Sequence, residues 1–308
     1  QEGISRESAG GPSGNPPGFR ILVGHDGSEH SLAATRLLCD LPLGLATVVK
    51  LVEVAPSQQI TSQPSPYVSL EVARGFFNGK GVAVLVETRE GSPADVLLQE
   101  AKQFIPHLLV LGAVGMQSVL HRMLGSVAQR VVEEATCPVL IVRSPYRKLQ
   151  RVLLALDDSP NSRQALECLA GSEPGQPALC PQFPLPDGAE VAVVHVLPSM
   201  LEQEAILHSW AVTPEFMPMM TSDSVTNEKA REQQEAAGRA LVGAAQKKLL
   251  AAGLPASTHL FSGDVPRQIL NFARDQEADL IVIGSRGLKT IQSWLLGSVS
   301  RKVIHEAQ

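Results

Sequence analysis

Short apolar runs alternate along this chain with longer stretches whose apolar positions recur every three or four residues. The first kind of run predicts buried strands and the second predicts amphipathic helices. Runs at 20–25, 48–54, 82–87, 108–111 and 139–142 read as strands, and a second set follows at 152–156, 191–196, 258–261 and 280–283. Helical periodicity is strongest over about 227–252, with a much shorter counterpart over about 69–78. Strand runs rich in Val, Ile and Leu, each followed by a helix, point to βα units and a parallel sheet covered on both faces.

The two sets of strands belong to an internal repeat. Arg20-Ile-Leu-Val-Gly-His-Asp26 aligns with Arg151-Val-Leu-Leu-Ala-Leu-Asp157, and His107-Leu-Leu-Val-Leu-Gly112 aligns with Asp279-Leu-Ile-Val-Ile-Gly284. The distance from the Asp to that Gly is 86 residues in the first copy and 127 in the second, so the second copy carries about 41 extra residues, expected in loops. Residues 1–18 hold five Gly, three Pro and three Ser with almost nothing apolar and predict a disordered tail. The copies then occupy 19–146 and 150–308, joined by a short linker. Copy two stops at Ile304-His-Glu-Ala-Gln308, where copy one continues into Cys137-Pro-Val-Leu-Ile-Val142, so the last strand of the second domain is expected to be absent from the sequence.

The most specific signal is a glycine spacing found in both copies. Gly112-x-x-Gly115 is followed after nine residues by Gly125-Ser126, and Gly284-x-x-Gly287 after nine residues by Gly297-Ser298. Glycines just past a strand end let backbone N–H groups approach an anion, and a Gly-Ser pair opening the next helix adds uncapped N–H groups, a positive dipole end and a hydroxyl. Asp26 and Asp157, at the ends of their first strands, stand at the same carboxyl edge, where open α/β sheets bind ligands. Carboxylates there would accept hydrogen bonds from a ribose or a base. The plainer alternative is that the glycines only shape turns and the Asp residues only cap helices.

These residues resemble the universal stress protein family, twice in one chain, over about 19–308. The spacing G-x2-G-x9-G-[S/T] is the one that family associates with ATP binding. Further matches are Val193-Val-His195-Val196, Gly91-Ser-Pro-Ala, Gly263-Asp-Val-Pro and the run Cys137 to Val142. The resemblance implies two tandem Rossmann-like α/β domains, each an open parallel sheet of order 3-2-1-4-5 with helices on both faces. It also implies ATP, alone or with Mg²⁺, across the first and fourth strands. Carried over, Asp157 and Val196 would hold the adenosine half, and Gly284, Gly287, Gly297, Ser298, Val299 and Ser300 would surround the phosphates. The matching positions in copy one are Asp26, Val54, Gly112, Gly115, Gly125, Ser126 and Val127. Copy one has Ala128 for Ser300, His107 for Asp279, and Ala113-Val114 for Ser285-Arg286, so the second site is expected to be the better one. The family further implies a stress-linked regulatory protein, an intrachain pseudo-dimer that could pair again as a homodimer, and a protein partner reading the nucleotide state.

Composition narrows the alternatives. The net charge of −5 is spread along the chain without a basic block, which argues against nucleic acid as a partner. No apolar run approaches the ~18 residues of a membrane span, so neither membrane insertion nor secretion is expected. Four cysteines without a C-x-x-C pair read as free thiols in a reducing, cytoplasmic setting. Gly75 to Gly81 lacks the loop length and the hydroxyl of a phosphate-binding P-loop. His25, Asp26, Ser28 and His30 read as packing and helix-start residues, with no metal spacing, and His195 as a hydrogen-bonded interior residue. No catalytic set stands out, leaving at most slow ATP hydrolysis. The apolar, Met-rich segment 198–222 supports a second hypothesis, a nucleotide-free scaffold that holds a protein through the paired domains and this insertion.

Overall fold

The computed structural model describes residues 18–55, 66–115, 124–172, 181–198, 224–285 and 296–307. The first half runs β1 (Arg20–His25), α1 (Glu29–Asp40), β2 (Val48–Ala55), α2 (Pro66–Gly75), β3 (Ala83–Glu90), α3 (Pro93–Phe104), β4 (Leu108–Gly112), α4 (Ser126–Glu134) and β5 (Val139–Val142). The second half runs β6 (Arg151–Ala155), α5 (Pro160–Ala170), β7 (Glu190–Leu197), α6 (Ser224–Ala251), β8 (Ala256–Ser262), α7 (Val265–Asp275), β9 (Leu280–Ile283) and α8 (Ser298–Glu306). Two parallel sheets result, of order β3-β2-β1-β4-β5 and β8-β7-β6-β9. The second is the first without its last strand, as the sequence predicts, and β9 is its edge among the described residues. The expected tail, Gly287, Arg286 and the Met-rich insertion lie outside the described residues.

Each sheet is buried on both faces, because β1, β4 and β6 are apolar at consecutive positions. Ile21, Val23, Val49, Leu51 and Val110 face α1 and α2, while Leu22, Val52, Leu109 and Leu111 face α3 and α4. The helix α2 starts earlier than its periodicity suggests, at Pro66, whose fixed φ suits a first turn. It ends at Gly75, so Phe77 turns into the core and Gly79 takes φ +76°. The halves also share packing: Leu280 and Phe183 contact the cores of both, Ile304 packs on the α3/α4 core, and Arg143 donates to the Ile304 carbonyl at 3.2 Å.

One face differs sharply between the copies. In the first, Lys50 on β2 meets Glu100 of α3 at 2.6 Å and Glu87 of β3 at 3.1 Å, and Arg89 meets Glu100 at 2.9 Å. Lys50 and Glu100 are both buried. Strand register and the shared Gly91/Gly263 turn place Ala192, His259, Phe261 and Phe272 at the corresponding positions of copy two. There aromatic rings meet instead, with Phe272 tilted against both neighbours and centred 4.5 Å from His259 and 5.2 Å from Phe261. An ionic cluster in one copy is an aromatic cluster in the other.

The cysteine expectation needs correcting. Cys168 is disulfide-bonded, while Cys39 and Cys137 are free. Burial pushes the Cys39 thiol up to about 12 and the Cys137 thiol up to about 11, so both are unreactive near neutral pH. Pairing depends on where the folded chain brings the sulfurs, which spacing alone does not reveal. No helix among the described residues is long and apolar enough to cross a membrane.

The first glycine of each motif is fixed by packing. A Cβ on Gly112 would lie 2.7 Å from the Ser31 backbone nitrogen and 2.8 Å from the His30 carbonyl carbon, and one on Gly284 would lie 2.8 Å from the Ser162 nitrogen. Backbone cannot swing aside, so the strand end must be bare to pass beneath the first turn of α1 or α5. Gly112→Ala and Gly284→Ala are each expected to cost about 2 kcal/mol by overpacking. Gly243→Ala, on α6 with nothing within 4 Å of the added Cβ, should instead stabilise by about 0.5–1 kcal/mol; urea unfolding of the three variants measures both signs.

The ionic cluster gives a pH-dependent expectation. Burial alone would raise the Glu100 carboxyl, but hydrogen bonds from Lys50 and Arg89 outweigh it and hold the group below the ordinary glutamate range. A lowered folded-state value means stability that is present above the unfolded value, about 4.3, and lost as pH falls through the folded one. Glu100→Gln should therefore destabilise by about 2 kcal/mol at pH 7, since it takes from the buried Lys50 ammonium the closer of its two carboxylates and leaves it paired with Glu87. Denaturant midpoints taken from pH 7 to pH 3 should show this deficit shrinking toward the acid end.

Candidate functional site

The carboxyl edge of each sheet is built by the same local chemistry. Where β1 ends, Asp26 Oδ1 accepts the Ser28 N–H at 3.0 Å, and Ser28 Oγ accepts the Ser31 N–H at 3.2 Å as the cap of α1. Where β6 ends, Asp157 Oδ1 accepts the Ser159 N–H at 3.1 Å, and Ser159 Oγ accepts the Ser162 N–H at 3.2 Å. Both carboxylates thus shape the turn that leads into a helix, while the caps themselves are Ser28 and Ser159 rather than the Asp residues. In copy one this turn aims the other oxygen across the edge: Asp26 Oδ2 lies 2.8 Å from where a Cβ on Gly115 would sit.

Beyond the strand ends stand the helices that open on Gly-Ser. The Gly125 N–H donates to the Ala113 carbonyl at 2.8 Å and the Gly297 N–H to the Ser285 carbonyl at 2.9 Å, fastening each helix start to the end of the fourth strand. Neither α4 nor α8 has a side-chain cap. The Gln129 N–H reaches the Gly125 carbonyl and the Arg301 N–H the Gly297 carbonyl, so the N–H groups of the first turns, Ser126 to Ala128 and Ser298 to Ser300, project past the helix ends. A Cβ on Gly125 would come within 3.3 Å of the Ala113 oxygen and 3.7 Å of the Gly115 nitrogen. Asp26, Gly115 and Gly125 are therefore close neighbours at this edge, beside the helix start at Ser126, with bare backbone where side chains would otherwise stand. That arrangement fits a phosphate-bearing ligand with a hydroxylated or amino group at its other end.

Other predicted residues play different parts. Gly112 and Gly284 face the first turns of α1 and α5 rather than this group of residues. Val54 and Val127 pack on the α3/α4 core, and Val196 and Val299 on its counterpart in copy two, supporting the edge from below. Ser300 is buried, and its hydroxyl donates to the Gly284 carbonyl at 2.6 Å, tying α8 to β9. That donor is spent on the fold, so Ala128 in copy one is not the simple loss of a phosphate contact. His107 and Asp279 sit at the opposite, amino edge: His107 Nδ1 accepts the Arg20 N–H at 3.1 Å, and Asp279 Oδ2 accepts the Arg151 N–H at 2.9 Å. Their difference has no bearing on the polarity of either site. Of the contrasts that favoured copy two, Ser285 remains among the described residues, exposed where Ala113 is fully buried.

Two polar features were not singled out as site residues by sequence reasoning. Glu53, at the end of β2, accepts a hydrogen bond from Ser69 Oγ at 3.1 Å, and burial raises its carboxyl, with the Asp26 charge adding to the effect. His25, its partner in strand register, is driven toward the neutral form by burial, against the opposing charge of Asp26. In copy two His195 is hydrogen-bonded as expected, its Nδ1–H donating to the Leu156 carbonyl at 2.7 Å. Gly238, in the middle of α6, lets the helix close over that ring, since a Cβ there would be 3.0 Å from it. A glycine inside a long helical pattern is the signal that could have located this contact. No cluster of three metal-ligating side chains occurs among the described residues.

Comparison with known proteins agrees with this architecture. The model of the universal stress protein family matches residues 19–143 and again 148–308. Universal stress protein YxiE of Bacillus subtilis is 29% identical over 154 residues, covering 50% of this chain and 90% of that protein. Universal stress protein Rv2624c of Mycobacterium tuberculosis is 29% identical over 168 residues, covering 51% of this chain and 61% of its relative. The crystal structure of a universal stress protein from Archaeoglobus fulgidus aligns with 94% of this chain and 93% of its own, with a TM-score of 0.56 at 19% identity. With both halves matched by one family model and folded as the two parallel sheets described above, the chain belongs to the universal stress protein family.

Proposed function

We propose that this protein is an ATP-binding regulator of the universal stress type, holding nucleotide at the carboxyl edge of the sheet in one or both domains. The observation that carries the reading is the pair of uncapped helix starts at Gly125-Ser126 and Gly297-Ser298, each fastened beside a fourth-strand end. The first-turn N–H groups and the Ser126 and Ser298 hydroxyls would receive the phosphate chain. The Asp26 and Asp157 carboxylates would accept hydrogen bonds from the ribose or base, and Val54 and Val196 would back the adenosine end. Mg²⁺ would share the phosphate charge. The second copy is favoured by Ser285, a polar residue where copy one buries Ala113. In this reading the nucleotide is a signal rather than a substrate, and a protein partner responds to its presence.

Calorimetric titration with ATP, with and without Mg²⁺, tests the proposal on the intact chain. The expected result is up to two sites per chain, the tighter one lost in Gly297→Val and the weaker one in Gly125→Val, each variant keeping its far-ultraviolet circular dichroism. Absence of binding heat at several temperatures, with no nucleotide released on heat denaturation, would instead support the nucleotide-free scaffold.

A further inference from the structure

Arg301 is the fourth residue after Gly297, in the first turn of α8, and the repeat places Gln129 at the same step after Gly125. Copy two thus carries a cation where copy one carries a neutral amide. The Arg301 N–H closes the first turn on the Gly297 carbonyl at 2.9 Å. Ser300 and Val303 are the buried residues of α8, so Arg301 lies on its outer face, with a side chain 46% exposed. Side chains on a helix lean toward its amino end. One turn rises about 5.4 Å, less than an extended arginine spans, so the guanidinium can reach the level of the Ser298 N–H and hydroxyl.

The same guanidinium meets the other half of the chain. Arg301 Nη2 lies 3.7 Å from Glu133 Oε1, near the end of α4, and the Gln129 side-chain amide donates to that oxygen at 3.3 Å. The two equivalent positions of the repeat therefore converge on one carboxylate. The counterpart of Glu133 is His305, so the repeat offers no matching carboxylate in copy two. A pair at 3.7 Å is beyond hydrogen-bond reach, and an exposed contact of this kind contributes little to stability. Nearby cations are engaged elsewhere: Lys302 with Asp264, Arg130 with Asp95 and Glu134, and Arg143 with carbonyls at the end of α8. Of these four cations, Arg301 alone stands on the first turn of a helix that opens on Gly-Ser.

We propose that Arg301 is a specificity-determining residue of the copy-two site, reading the phosphate chain, and that Glu133 of the other half competes with the phosphates for it. Phosphate oxygens match the planar fork of a guanidinium, which a single carboxylate oxygen at 3.7 Å does not. Nucleotide bound to copy two therefore takes the guanidinium from α4 and leaves Glu133 to Gln129, so the phosphate end of one site is felt on a helix of the other half. Linkage makes the effect reciprocal: whatever frees Arg301 from Glu133 strengthens phosphate binding. This rests on the reading of the copy-two edge as a nucleotide site.

The experiment uses the full chain carrying Gly125→Val, so that copy two alone reports. Affinity for a methylanthraniloyl-ATP probe is measured in this background, with Arg301→Gln, with Glu133→Gln and with both. Arg301→Gln, which copies the first domain, should weaken binding about tenfold, and Arg301→Lys, which keeps the charge, should recover part of that loss. Glu133→Gln should strengthen binding about threefold, and should change nothing in the Arg301→Gln background. That dependence of one substitution on the other is a readout that a merely structural role would not give. Unaltered affinity in Arg301→Gln, no gain in Glu133→Gln, or a gain that persists in the double variant would overturn the inference while leaving the nucleotide reading in place. Absence of probe binding in all of these, and in the chain without Gly125→Val, would overturn both.

Discussion

No side chain fits between the end of β4 and the first turn of α1, and the layout of the carboxyl edge follows from that contact. Because Gly112 is bare, the strand passes directly under the Ser28-capped helix start, and the same holds for Gly284 beneath α5. The close approach fixes the height of the helix over the sheet. The Asp-Ser turn preceding the helix is thereby held beside the loop that leaves β4, bringing Asp26 within reach of Gly115. The second anchor, from the Gly125 N–H to the Ala113 carbonyl, then holds the start of α4 beside the same strand end. Glycine thus serves two purposes within one motif: the first residue removes bulk for the fold, and the later ones leave backbone bare at the edge where nucleotide is proposed to bind.

Much of this was legible in the residues, because sheet and helix have different periods and the chain displays each of them twice. The strands near 20, 108, 139, 152 and 280 begin within a residue of their apolar runs. The Asp and Gly-Ser positions were found by the repetition of their spacing. What the pattern could not convey was direction. Ser300 is one turn into a helix opening on Gly-Ser, yet its hydroxyl points back to the Gly284 carbonyl. His107 and Asp279 flank the glycine motif in sequence but stand a full strand length from its site, securing the amino edge. The Lys50–Glu100 pair was hidden for a related reason: its members lie 50 positions apart on different elements, and neither has a local signal.

The two halves are joined by more than the linker. Phe183 and Leu280 belong to the periphery of both cores, and Arg143, just past β5, donates to carbonyls at the end of α8. These carbonyls are among the last of the helix and lack intrahelical donors. Arg301 of the same helix reaches Glu133 of α4 at 3.7 Å. The two helices that open on Gly-Ser are therefore joined by an ion pair.

The exchange of an ionic cluster for an aromatic one has an evolutionary side. In an assembly of two identical chains every substitution is made twice, once in each subunit, and a change that suits only one position is tolerated or lost as a pair. Joining both copies in one chain removes that symmetry. Lys50, Glu87 and Glu100 could then answer to charge and acidity while Ala192, His259 and Phe272 answered to apolar packing, each without imposing itself on the other. Covalent fusion here converts a duplicated fold into two separately adjustable environments.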